Sequence, residues 1–182
     1  KNKILDAAKL INNAKNPLIV WGQGVILGNA EKEFKNFVEK SGIPAAWTIL
    51  GASAIPTSHE LNVGMVGMHG NYGPNILTNK CDLLIAIGMR FDDRVTGDTS
   101  TYAKQAKIIH LEIDPAEVNK NIIVDVPIVG NCKDSLRMLT RNIKAKSYKK
   151  WLNRFDELMK KEFKKVIKSD LSPKKKGLTM GE

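Results

Sequence analysis

Apolar positions along the chain follow two rhythms. Over residues 2–14, Ile4, Leu5, Ala8 and Ile11 recur at helical spacing. Residues 17–21 are a continuous apolar run ending at Gly22, which predicts a buried strand. A second helix follows Gly28. Asn29 is its expected cap, Glu31 and Glu33 fall in the electropositive first turn, and Phe34, Phe37 and Val38 form its apolar stripe. Ser41-Gly42 closes it. Residues 43–49 predict the second strand, and 51–73 a long loop rich in Gly, Met and His. Pro74 opens a short helix over 74–80. Strands are expected at 82–87, 106–114 and 125–129. Asp114 caps a turn begun by Pro115, and Asn131 caps a helix running to about Lys144. A last Lys-rich helix, 148–168, carries Trp151, Phe155, Leu158, Met159 and Phe163 on one stripe, and 169–182 reads as an unstructured linker.

Continuously apolar strands alternating with helices specify an α/β fold, a parallel sheet covered on both faces. The 182 residues suit one ordinary domain with a tail. Charge divides the chain in the same place. Residues 141–182 hold 14 Lys/Arg against 5 Asp/Glu, a balance of +9, whereas residues 1–140 are at +1 with 15 against 14. A near-neutral body argues against a nucleic-acid-binding face, which needs clustered Lys and Arg; the basic tail reads as a solvated helix and linker. No apolar run approaches the ~20 residues of a membrane span, so no membrane partner is expected. Cys81 and Cys132 lack metal-ligand spacing and fit a reduced, cytoplasmic interior. His59, His69 and His110 are scattered, and no metal site is expected. The start at Lys1 rather than Met points to a fragment or processed chain.

Chemistry concentrates at strand ends. Gly88-Met89-Arg90-Phe91-Asp92-Asp93-Arg94-Val95-Thr96-Gly97 crowds four charges into five positions just beyond a buried strand, where open α/β sheets bind ligands. Arg90 has the planar fork that suits a phosphate, and Asp92 the acceptor oxygens that suit hydroxyls. The same run also reads as a surface turn with two internal ion pairs. Gly22-Gln23-Gly24 with Gly28 lies between a strand and a helix, as a pyrophosphate-holding turn does, but its G-x-G-x-x-x-G spacing is not the dinucleotide fingerprint. It also reads as a plain strand-to-helix turn. Gly64-Met65-Val66-Gly67-Met68-His69-Gly70 offers soft methionines for a flat ring and a histidine for a carbonyl or ring nitrogen; a histidine held by backbone is the alternative. Glu112 is placed to accept from a ribose. No nucleophile elbow, no phosphate-binding G-x-x-x-x-G-K-[ST] loop and no thiamine diphosphate signature occurs, so no catalytic residue is assigned.

The runs 64–70, Cys81-Asp82-Leu83-Leu84, 88–97 and 106–114 followed by Ala116-Glu117 together resemble the central domain of the acetolactate synthase (acetohydroxyacid synthase) large-subunit family, across roughly residues 1–145. The run from Arg90 to Gly97 resembles the FAD-containing biosynthetic branch. The resemblance implies a three-layer αβα Rossmann-like domain with a parallel sheet of about six strands, residues 1–145, and a basic helix and linker, 146–182, leading to a C-terminal thiamine-diphosphate-binding domain. It implies a parent enzyme dependent on thiamine diphosphate and magnesium. That enzyme condenses two pyruvates, or pyruvate and 2-oxobutanoate, with decarboxylation in branched-chain amino acid biosynthesis. Homodimers or homotetramers and a regulatory small subunit come with the family. FAD is held structurally by this domain, which is expected to be inactive alone because the thiamine-activating and magnesium-binding domains are other parts of the enzyme.

Carried over by position, the resemblance places Gly22, Gln23 and Gly24 at the pyrophosphate and Thr48 and Ile49 along the flavin. Val66, Gly67, Met68 and His69 lie against the isoalloxazine or ribityl. Gly88, Met89, Arg90 and Asp92 meet phosphate and hydroxyls, Glu112 and Ile113 the adenosine ribose, and Asn131 and Cys132 the adenine. Asp93 and Arg94 line the substrate channel. The chain departs from the family pattern at Gln23, where a third glycine is usual, and at Glu112 and Asn131, where Asp is usual; these changes bear on FAD affinity, not on fold. A scaffold or ADP-binding middle domain of another thiamine-diphosphate enzyme is the competing expectation, which the Arg90–Gly97 run disfavours. An NAD-dependent dehydrogenase module is disfavoured by the imperfect glycine pattern.

Overall fold

A computed structural model of the chain describes residues 2–171. Six strands form a single parallel sheet: β1 Pro17–Trp21, β2 Ala45–Trp47, β3 Asn62–Met65, β4 Leu83–Ile87, β5 Lys107–Glu112 and β6 Val126–Val129. Their order is β3-β2-β1-β4-β5-β6, with every pairing parallel. The helices are α1 Asn2–Asn13, α2 Gly24–Leu27, α3 Glu31–Ser41, α4 Tyr72–Thr78, α5 Asp93–Thr96, α6 Cys132–Asn142 and α7 Lys149–Glu162.

Strand alternation sorts the core into two layers. Ile19, Trp21, Ile85, Ile87, Ile109 and Leu111 pack on one face against Ile4, Ile11, Phe34, Phe37, Leu136 and Leu139 of α1, α3 and α6. Leu18, Val20, Leu84, Ala86 and Ile108 face the other way, against Leu77 of α4 and Trp151 and Phe155 of α7. This is the three-layer α/β arrangement the alternating pattern required, with both sheet faces covered. The Lys-rich α7 belongs to that packing. Trp151 Nε1 donates to the Pro17 carbonyl at 2.8 Å, and the Trp151 and Phe155 rings meet edge to face with centroids 5.2 Å apart.

Local differences from the sequence reading have physical causes. β3 lies inside the stretch read as loop: on a sheet edge its four residues bury Val63 alone, so there is no apolar run to see. The second strand is three residues long, because Thr48 leads into a 3-10 turn over Ile49–Gly51. Asn29 is not the cap of α3; it sits at φ 47 in a left-handed turn, and Ala30 occupies the cap without a side-chain bond. Pro74 is the third residue of α4, not its first. The final stripe is buried at Trp151 and Phe155 but exposed at Met159 and Phe163, where the helix widens into a π turn over Phe163–Ile167. Lys168–Leu171 continues as helix where linker was expected, and the rest of that linker, 172–182, lies outside the described residues.

Candidate functional site

Every segment singled out for binding follows a strand and emerges on the same, carboxyl edge of the sheet. Gly22–Gly24 follows β1, Thr48 and Ile49 follow β2, Val66–His69 follow β3, Gly88–Asp92 follow β4, Glu112 and Ile113 end β5, and Asn131 and Cys132 follow β6. At ~4.8 Å per strand this edge is about 24 Å long. The order of strand addition reverses between β1 and β4, the switch point at which doubly wound sheets open a crevice.

At that switch point three glycines are packed against one another. A Cβ on Gly24 would lie 2.6 Å from Gly88 Cα, and one on Gly22 would lie 2.6 Å from the Gly88 carbonyl oxygen. Gly24 N–H donates to that same oxygen at 2.8 Å, and Gly88 turns away at φ 57. Glycine is thus demanded here by the approach of two chain segments, and their amides are spent on it: Gly22 N–H donates to the Ile87 carbonyl at 3.0 Å and Gly88 N–H to the Leu111 carbonyl at 2.9 Å. Gln23 between them is exposed.

The flank beyond β4 carries the charge. Arg90 Nε pairs with Asp92 Oδ2 at 3.2 Å, with the guanidinium largely in solvent. Asp92 also caps α5, its Oδ1 accepting from Arg94 N–H at 3.1 Å. Met89 contributes only its backbone to the edge: its side chain is in the core, and its carbonyl lies 2.9 Å from Nε2 of the buried His110. Since a carbonyl only accepts, Nε2 carries the proton and Nδ1 is the bare nitrogen, buried without a partner among the described residues. Burial holds the His110 pKa below its ordinary value, against the opposing pull of the Met89 carbonyl and of Glu112 and Glu117. Glu112 folds its Oε1 onto the Ile113 and Asp114 amides at 2.8 and 3.1 Å, while Oε2 lies 3.8 Å from His110 Nε2. Asn131 caps α6 through Oδ1 to Lys133 N–H at 2.8 Å. Burial, then the charges of Glu112 and Glu33, push the Cys132 thiol up to about 12, so it is a neutral, apolar group.

The other flank is apolar and open. Ile49 and Met68 are 67% and 65% exposed, and Ile113 across the switch point is 67% exposed, a row of large apolar side chains no core contact explains. Thr48 and Val66 are buried, Thr48 donating its N–H to the Trp21 carbonyl at 2.9 Å. The loop after β3 docks on α5: Met68 N–H donates to the Arg94 carbonyl at 2.8 Å. A cavity of about 320 Å3 opens beside that contact, lined by Gly67, Met68, Asn75, Asp93, Arg94 and Tyr102 among others. So Asp93 and Arg94 share a cavity with the Gly67 loop, while Glu112, Asn131 and Cys132 stand at the far end of the edge. The sequence reading had no signal for Asn75, an ordinary helix residue there. Among the described residues no group of three or more His, Cys, Asp or Glu is placed to hold a metal, and no helix is long and apolar enough to cross a membrane.

The strand order, with its reversal between β1 and β4, and the two covered faces define a doubly wound α/β domain. The chain belongs to the family of thiamine pyrophosphate enzyme central domains, whose model matches residues 4–139. It is 47% identical over 161 residues to the probable acetolactate synthase large subunit of Methanocaldococcus jannaschii, covering 87% of this chain and 27% of that protein. To the acetolactate synthase large subunit of Corynebacterium glutamicum it is 49% identical over 143 residues, 79% of this chain and 23% of that protein. The acetolactate synthase large subunit of Buchnera aphidicola is 36% identical over 155 residues, 83% of this chain and 27% of that protein. The chain therefore spans about a quarter of the length of these relatives.

Proposed function

We propose that this domain holds FAD along the carboxyl edge of its sheet as part of an acetolactate synthase large subunit. That enzyme joins the two-carbon unit of one pyruvate to a second pyruvate, or to 2-oxobutanoate, in branched-chain amino acid biosynthesis. The relatives' names support the activity. The observation that supports the FAD reading is that the segments expected to bind it fall at the carboxyl ends of six neighbouring strands. An edge of about 24 Å suits an elongated ligand with two heads better than a compact one.

The residues suit the ligand in kind. The exposed Ile49 and Met68 offer apolar surface to a flat ring system. Gly22, Gln23, Gly24 and Gly88 bring backbone to the middle, and Arg90 and Asp92 set a donor fork and an acceptor beside it. Glu112 and Ile113 stand where an adenosine ribose would lie, with Asn131 and Cys132 toward the adenine. Asp93 and Arg94 face the substrate channel. A flavin supplies hydride and electron transfer, but its role here is structural, since the condensation needs no net redox step. Thiamine diphosphate and magnesium belong to flanking domains, with residues 1–145 as the flavin domain and 146–182 the connection onward. The parent assembles as a homodimer or homotetramer with a regulatory small subunit, in the cytoplasm.

Titration of the chain with FAD, with ADP and NAD as controls, tests this. Saturable FAD binding weakened about tenfold or more by Arg90→Ala is expected, as a charge-assisted contact is worth ~1.5–3 kcal/mol. Binding of ADP but not FAD would replace the reading with that of a nucleotide-holding scaffold.

A further inference from the structure

We propose that Asn75 is a positioning residue that sets the Gly67–His69 loop against Arg94, and with it the shape of the flavin-facing edge. This rests on the FAD reading above. The Asn75 amide grips one residue by both of its backbone groups: Gly67 N–H donates to Oδ1 at 2.9 Å, and Nδ2 donates to the Gly67 carbonyl at 2.9 Å. On its other side the loop has no slack. Gly67 sits at φ 107, a Cβ there would lie 2.6 Å from the Arg94 carbonyl oxygen, and Met68 N–H donates to that same oxygen at 2.8 Å. The loop is therefore wedged between α4 and α5, with the Asn75 side chain holding Gly67 on one face and the Arg94 carbonyl meeting it on the other. One turn earlier Asn71 repeats the device, with Met65 N–H donating to Oδ1 at 2.9 Å. Asn71 and Tyr72 in turn meet the Glu162 carboxylate of α7, Tyr72 N–H donating to Oε1 at 3.1 Å. A loop with this many side-chain anchors is built to hold one geometry, and a backbone of glycine and methionine would not hold it unaided.

The test uses two substitutions in the chain, each read by FAD titration and by hydrogen exchange at the Met68 amide. Asn75→Ala removes both bonds to Gly67; FAD binding about tenfold or more weaker and faster Met68 exchange are expected. Asn75→Asp is isosteric. Ionised, it accepts from Gly67 N–H but sets a carboxylate against the Gly67 carbonyl; protonated, it donates there and restores the pair. Its FAD affinity relative to wild type is therefore expected to be at least about tenfold down near pH 8 and to recover as pH falls into the range where the introduced carboxyl takes up its proton. Asp93 and Arg94 of α5 and Tyr102 line the same cavity as this residue, and Glu162 of α7 meets Asn71 and Tyr72 one turn away; the wild-type chain carries them all, so the ratio isolates residue 75. A ratio within about twofold at every pH, with Met68 exchange unchanged in Asn75→Ala, would overturn the proposal. A wild-type chain that binds no FAD would refute the FAD reading, while the exchange measurement would still judge the role of Asn75.

Discussion

Gly24→Ala separates close packing from mere turn preference at the switch point, and Gly73→Ala is its control. Both glycines lie in the first turn of a short helix with φ in the ordinary range. Alanine restricts the unfolded chain equally at both, a gain of about 0.4–1 kcal/mol that cancels in the comparison. What differs is space. At Gly73 the new methyl would meet Phe155 O at 3.5 Å and Leu158 Cβ at 3.6 Å, ordinary contacts. At Gly24 it would meet Gly88 Cα at 2.6 Å and Gly88 O at 2.9 Å, backbone that cannot rotate aside. Opening that contact costs about 1–3 kcal/mol. It also stretches the Gly24 N–H to Gly88 O bond of 2.8 Å, worth about 0.5–1.5 kcal/mol. Gly73→Ala is thus expected to be neutral to slightly stabilising, and Gly24→Ala less stable than it by about 2–4 kcal/mol. Urea unfolding monitored by circular dichroism measures both, with the slope checked for constancy. A difference under about 0.5 kcal/mol would show that the β1 and β4 turns part freely, and that glycine there serves something other than their mutual approach.

The remaining expectations concern protonation and the last helix. His110 is held neutral by burial, its pKa below the ordinary 6.5, so as pH falls below about 6.5 the unfolded chain takes a proton that the folded chain refuses. Stability should therefore fall from about pH 6.5 down to the depressed folded-state pKa and then level off, and His110→Gln should remove that part of the profile; an unchanged profile would show that His110 takes up its proton equally in the folded and unfolded chain. Phe155→Ala, at a fully buried site, should cost about 3–5 kcal/mol. Phe163→Ala, at a half-exposed one, should stay within about 0.5 kcal/mol. Equal effects in the two urea curves would mean that α7 does not hold to the sheet.

The sequence showed what one-dimensional patterning can carry. β1 and β4 announce themselves as continuous apolar runs because both sheet faces are covered and every one of their residues is buried, and β5 and β6 show shorter apolar stretches, interrupted in β5 by His110. β3 does not, since an edge strand reached by the core at Val63 alone has no run to display. The strand-end segments were legible because their residue types are costly elsewhere: Gly22, Gly24 and Gly88 answer to a backbone approach under 3 Å, and Asp92 to a helix start. Whether a strand-end residue offers its side chain or only its backbone was not legible. Met89 and Val66 point into the core, and Glu112 bends onto its own amides, because the twist of each turn decides this and no local composition records it. The anchors are the extreme case. Asn75 reaches Gly67 across eight positions and Glu162 reaches Tyr72 across ninety. Nothing near an asparagine or a glutamate on a helix distinguishes one that grips a distant peptide from one that faces water. The chain thus announces the segments at its strand ends and conceals the residues that hold them still, because the former need special backbone and the latter need only be in the right place.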